Sequence, residues 1–181
     1  LSEDFDMLAA EEAYCAKEDE LREYLDTYEA THDYDEYHFD LDEIEHDPYV
    51  LISILSALHE GVFTADEVQS ELQTLFDRQY TPTETVTVEV RYRTETRTDS
   101  EGNEYEVEVP YDYYICTVTL ENFDLSHLPV YLMDEEQLSL YAAYMSTLGN
   151  RPDLFGTAEY PNASTLKEPT YYDIPPEALE D

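Results

Sequence analysis

Apolar residues recur every three or four positions over residues 3–30, the spacing of one face of a helix. Within EEAYCAKEDELREYLDTYEA the stripe is Tyr14, Leu21, Tyr24, Leu25 and Tyr28. The acidic stretch THDYDEYHFDLDEIEHDPY (31–49) breaks the period. Asp47-Pro48 then opens a second helix, since the missing proline N–H is harmless in a first turn, and Gly61 closes it. A third helix starts in FTADEV. Thr64 is its N-cap and Glu67 completes a capping box, with Phe63 and Val68 at the staple positions on either side. Its stripe is Val68, Leu72, Leu75 and Phe76, and it ends near Gln79, before Pro82.

The period next falls to two, the mark of strands. Val86, Val88, Val90 and Tyr92 share one face of TVTVEVRYRTETRT; Tyr105, Val107, Val109, Tyr111 and Tyr113 share one face of the answering run, across the turn DSEG (99–102). Charge suggests a register in which facing residue numbers add to 201. Arg93 then meets Glu108, Arg97 meets Glu104, Tyr92 meets Val109 and Val90 meets Tyr111, all favourable cross-strand pairs. Arg91, Arg93 and Arg97 are thereby given structural work. Pro110 lacks a ladder donor, and the apolar set changes parity to Cys116, Val118 and Leu120, so a bulge is expected near 110–115.

DEEQLSLYAAYMSTLGN predicts a fourth helix, capped by Asp134 with Gln137, striped by Leu138, Tyr141, Met145 and Leu148, and ended by Gly149. From residue 156 the chain is proline-rich and aperiodic. The expected fold is α+β: three N-terminal helices, a long antiparallel hairpin or small sheet, one further helix and an extended C-terminal tail. The expected division is an N-terminal helix (1–30) packing with an α+β core (31–155), then a linker (156–181). The Val/Tyr face of the hairpin is expected to pack on the helical stripes of 48–59 and 64–79.

Charge changes this picture most. Eight basic residues stand against 45 acidic ones in 181, a formal net charge of −37. Such a surface repels nucleic-acid phosphates and anionic lipid, and favours solubility and basic partners. No apolar run approaches the roughly 18 residues of a membrane span; no signal peptide is visible and the chain starts at Leu1 rather than Met, as expected of a segment whose address lies upstream. Cys15 and Cys116 have neither disulfide-framework nor metal-type spacing.

Three of the five histidines, His32, His38 and His46, lie in the acidic stretch at spacings of six and eight. Zinc sites favour tighter pairs, and a calcium loop needs a glycine that this run lacks. His32 with Asp35, or Asp40 with Asp42, are the weak candidates for a shared divalent ion. The stretch otherwise reads as a connector whose Tyr34, Tyr37, Phe39, Leu41 and Ile44 pack down while its acids face water. His59 and His127 are isolated, and no cofactor motif is present. The triplet NAS (162–164) matches a glycosylation acceptor. Tyr111, Tyr113 and Tyr114 form a candidate contact patch, because tyrosine joins apolar area to a polar tip; the competing reading is that they roof the core.

The stretches HDPYVLISILSALHEG (46–61), RYRTETRTDSEGNEYEVEVPYDYYICTVTLENFDLSHLPVYLM (91–133) and AYMSTLGNRPDLF (143–155) resemble the central region of cell-wall hydrolases carried by conjugative transposons of Gram-positive bacteria. The resemblance runs over roughly residues 7–177. It implies a membrane-anchoring segment upstream and, after a linker like YDIPPEALED (172–181), an NlpC-type papain-like peptidase domain that cuts peptidoglycan stem peptides. That peptidase needs a nucleophilic cysteine in a DCSG-like context at a helix start. Cys15 sits in AYCAK and Cys116 in YICTVT, so neither matches and no catalytic residue carries over. The resemblance therefore implies a non-catalytic, extracytoplasmic module that spaces, positions or couples the peptidase. Its partners would be that domain and conjugation-machinery or cell-wall components. An alternative is a lysozyme-like muramidase domain with Glu60, at the end of an apolar helix, as general acid.

Overall fold

The computed structural model describes residues 1–156. All but the first residue of the expected 156–181 linker, the NAS triplet and YDIPPEALED lie outside the described residues. The chain is α+β and groups into two compact units, neither continuous in sequence. One holds Leu1–Tyr24, Glu43–Thr81 and the described chain from Glu121; the other holds Leu25–Asp42 and Pro82–Leu120.

The first unit is built around α3 (Pro48–Leu58), whose residues from Pro48 to Ala57 are all buried. Asp47 caps it, its carboxylate accepting from the Tyr49 N–H, and Pro48 stands in the first turn as its chemistry predicts. The exit differs from expectation. Gly61, at φ 146°, bonds back through its N–H to the Ser56 carbonyl, but the residue before it, Glu60, is also left-handed, at φ 54°. A glycine normally takes this position, because a Cβ there clashes with the backbone. The capping box of Thr64 and Glu67 forms with both reciprocal bonds, and Phe63 and Val68 are buried at the staple positions. A 3-10 turn (Asp66–Val68) leads into α4 (Gln69–Gln79). α6 (Glu135–Gly149) has its Asp134–Gln137 box and packs on α3. Two short elements, a 3-10 turn (Leu125–His127) and α5 (Pro129–Leu132), precede it.

α1 (Asp4–Asp26) places residues 1–24 in this unit. Its buried stripe is not wholly apolar. Met7, Ala10 and Tyr14 are buried, and so are Glu11 and Glu18, while Tyr24, expected on the stripe, is exposed. No helix among the described residues is long and apolar enough to cross a membrane.

The second unit carries a three-stranded sheet in the order β1-β3-β2. The acidic stretch is not a bare connector. Its middle forms strand β1 (Glu36–Leu41), parallel to β3 (Glu104–Asn122), with Glu36 facing Ile115 and Leu41 facing Leu120. Phe39 and Leu41, expected to pack down, are exposed. The anchor here is Tyr28, in the one-turn helix α2 (Tyr28–Thr31), which is fully buried, stacks on His32 and meets Tyr37 and Phe39 edge-on.

β2 (Tyr80–Thr98) and β3 form the long hairpin. Its register is one residue from the charge-based expectation: Gln79 pairs with Phe123 at the base and Asp99 with Asn103 at the tip, so facing numbers add to 202. The same sum at both ends leaves no net bulge near 110–115. Gly102, at φ 85°, closes a three-residue turn that the Asp99 carboxylate braces by accepting from Glu101 and Asn103. The arginines pair along their own strand instead of across it, Arg91 with Glu89, and Arg93 and Arg97 with Glu95. Val86, Val88, Val90 and Tyr92 are 42–63% exposed, so this face is not the covered surface expected from its alternation.

Candidate functional site

The stripe of α1 steps by four and three through Met7, Glu11, Tyr14, Glu18 and Leu21, a heptad spacing that turns both glutamates inward. Two acids in a core need a cation. His46 supplies it from the segment entering α3. Its Nε2 lies 2.6 Å from a Glu11 carboxylate oxygen and its Nδ1 2.8 Å from one of Glu18. The His46 side chain is 1% exposed and those of the two glutamates 4%.

A set of placed polar groups surrounds this Glu–His–Glu centre. The Tyr80 hydroxyl, at the α4–β2 junction, donates to the second oxygen of Glu18. Tyr14 presents its ring edge to His46 at 4.7 Å and donates its hydroxyl to Gln79 Oε1 at 2.6 Å. Gln79 Nε2 in turn donates to Asn122 Oδ1 at 3.0 Å. Cys15, one helical turn beyond Glu11, points its Sγ at the other Glu11 oxygen, 3.2 Å away.

Burial alone lowers an imidazole pKa; the charge and hydrogen bond of Glu11, followed by those of Glu18, outweigh it and lift His46 to about 10. His46 is therefore an imidazolium at neutral pH. Burial, reinforced by Glu18 and at Tyr14 also by Glu11, pushes the Tyr14 and Tyr80 hydroxyls far above their ordinary value, so both stay protonated donors. Asp47, next in sequence, is raised to about 7 because burial outweighs the backbone N–H groups of Tyr49 and Val50 that favour its charged form. Its Oδ2 is buried with no hydrogen-bond partner among the described residues.

The residues singled out from sequence lie elsewhere. His32 Nδ1 is 2.7 Å from the Tyr28 carbonyl, and Asp35 accepts from the Tyr114 N–H at 2.7 Å. Asp40 and Asp42 are exposed. These four are not among the groups of three or more ligating side chains that converge in the described residues; Glu11, Cys15 and His46 are. Glu60 is exposed at the end of α3. Tyr111 and Tyr113 share one hairpin face and are half-buried. The Arg91 guanidinium lies 3.5 Å over the Tyr113 ring, and that of Arg93 6.0 Å over Tyr111. Tyr114 is 41% exposed on the opposite face, with Val86, Val88, Val90 and Tyr92. The three tyrosines thus do not form one patch. The contiguous exposed apolar row is the valine face.

Glu11 and Glu18 are not among the residues expected from sequence, although both lie on the heptad step that carries Met7 and Tyr14 inward. No family model, curated protein or solved structure matches this chain.

Proposed function

We propose that this chain is a non-catalytic, extracytoplasmic module of a conjugative-element cell-wall hydrolase, and that it positions or couples a downstream peptidase domain through its hairpin. The observation that carries the reading is the row Val86, Val88, Val90, Tyr92 and Tyr114, every member at least 41% exposed on one face of the hairpin. Contiguous exposed apolar patches mark interaction sites. The thiol chemistry agrees. A papain-like nucleophile needs a cysteine beside a histidine nitrogen that can take its proton. Cys116 is buried on a strand, and both nitrogens of His46 face carboxylates. The lysozyme-like alternative rests on Glu60, whose exposure denies it the desolvation such an acid depends on.

The test has two arms. Purified chain incubated with Gram-positive peptidoglycan is expected to release no stem peptides or muropeptides. An NlpC-type peptidase domain from a hydrolase of this kind is expected to bind the chain, and the Val88→Ser/Val90→Ser/Tyr92→Ser variant to bind it at least tenfold more weakly. Hydrolysis by the chain itself, or identical binding by the variant, overturns the reading.

A further inference from the structure

We infer that Glu11, Cys15 and His46 form a binding site for a zinc-class divalent metal ion, with Glu18 as the positioning residue that orients His46. The inference is independent of the proposed role in cell-wall hydrolysis. Its first ground is convergence. One carboxylate oxygen, one Sγ and one ring nitrogen lie within 4.8 Å of one another. Glu11 and Cys15 are four apart on α1 and so share a face, and His46 closes the triangle from a different segment. Zinc bonds of about 2.0–2.3 Å hold tetrahedral donors about 3.3–3.8 Å apart. A metal ion among these donors would lengthen the present contacts about Glu11, 2.6 Å to His46 and 3.2 Å to Cys15, toward that spacing.

The second ground is the support behind the histidine. A metal-binding imidazole characteristically gives its other N–H to a carboxylate, which fixes the tautomer and the ring plane. Here Nδ1 faces Glu18 at 2.8 Å, and Tyr80 secures the far oxygen of Glu18. That leaves Nε2 as the ligating atom, on the side of Glu11 and Cys15.

The third ground is the donor set. Sulfur with nitrogen and one oxygen suits zinc-class ions and not calcium or magnesium, which take oxygen shells. A metal here would be held by the Glu11 carboxylate, the Cys15 thiolate and the neutral His46 imidazole, with any protons those groups carried released to solvent on binding. Cys15 is half-buried rather than enclosed, which gives the ion a route in and leaves a fourth position for water or another donor.

The test uses the full chain stripped with a chelator. Titration with Zn²⁺ against a chromophoric chelator is expected to show one tight site per chain, unaffected by millimolar Mg²⁺ or Ca²⁺. Co²⁺ is expected to give the sulfur-to-cobalt charge-transfer band and the strong visible bands of a four-coordinate ion. Cys15→Ala should abolish the sulfur band and weaken Zn²⁺ binding at least about 100-fold. Glu18→Gln should weaken it by about 10–100-fold while keeping the band. Circular dichroism of each metal-free variant checks folding, and the cobalt spectrum of the unaltered chain stands whether or not a variant folds. Weak binding that Cys15→Ala leaves unchanged, or a cobalt complex without the sulfur band, would assign the ion to the acidic surface and overturn the inference.

Discussion

Replacing His46 with leucine removes the cation from between Glu11 and Glu18 and leaves two carboxylates facing each other in a space from which water is almost excluded. Breaking a buried ion pair by deleting one partner costs roughly 3–5 kcal/mol, because the surviving charge is neither solvated nor paired. The proton on His46 gives a second measure. Its pKa rises from 6.5 to about 10, which at about 1.4 kcal/mol per unit corresponds to roughly 5 kcal/mol between folded and unfolded chains. Both routes place the loss at a large fraction of the 5–15 kcal/mol typical of a whole domain. The triple variant Glu11→Leu/Glu18→Gln/His46→Leu removes the charges together and keeps a carbonyl for Tyr80. It is expected to lie within about 1–2 kcal/mol of the unaltered chain, since apolar replacements of buried ion clusters are often neutral or better.

The same centre fixes a direction in pH. A folded pKa above the unfolded one means that the stabilisation is complete below pH 6.5 and falls as pH rises, until it is gone near pH 10. Asp47 acts over a lower window, ending near pH 7, so measurements from pH 7 to 9.5 isolate His46. Urea unfolding followed by far-ultraviolet circular dichroism, in chelator, gives the free energies; an unchanged m value shows that the variants unfold alike. The unaltered chain should lose stability across this range and the triple variant, which lacks all three charges, should not. A single-variant cost below about 1 kcal/mol, a triple variant as unstable as the single, or equal pH slopes would each refute the account of the centre.

Asp47→Asn keeps a good N-cap and removes a buried carboxylate whose pKa is raised from 3.8 to about 7. Because the contribution of a raised acid pKa is complete below the unfolded value and lost above the folded one, the variant should gain about 1–2 kcal/mol at pH 8 and nothing at pH 3.5, measured by urea unfolding at both. Glu60→Gly relieves the left-handed backbone at the end of α3 and should raise stability by about 1 kcal/mol in a thermal melt; a fall would show that the Glu60 side chain holds the turn. Val88→Ser/Val90→Ser/Tyr92→Ser alters exposed positions and should cost under about 1 kcal/mol in urea unfolding, whereas a loss above 2 kcal/mol would mean the face is covered in solution.

What was legible in the sequence was what is decided locally. The capping boxes at Thr64 and Asp134, the Asp47-Pro48 entry and the staple of Phe63 and Val68 depend on residues within about five positions of each other, and all of them form. The hairpin was legible in its strands but not its register. Opposite charges within one strand satisfy each other at a spacing of two as well as across the ladder, so charge alone does not choose between them. The turn does, through the Asp99 carboxylate and the left-handed Gly102. Strand β1 was hidden for a different reason: its partner is parallel and 79 residues distant, so no hairpin signal announces it.

The buried centre was the hardest to see, and its cause lies in composition. With 45 carboxylates in the chain, any one glutamate reads as solvated surface, and Glu11 and Glu18 look no different from their neighbours. Periodicity separates them, because both fall on the step that also carries Met7 and Tyr14 inward. Periodicity alone still favours rejecting such a stripe, since an unpaired acid is too costly to bury. What tips the balance the other way is one cation, 28 residues beyond Glu18 and 35 beyond Glu11. In a chain with 8 lysines and arginines, each long, flexible and suited to the surface, a histidine is the cation that fits. It is compact, it offers one N–H to each carboxylate, and its charge can be surrendered when something else takes the proton's place. A lysine at position 46 would hold the same two acids together but would leave Glu11 and Cys15 without a nitrogen to share a metal ion.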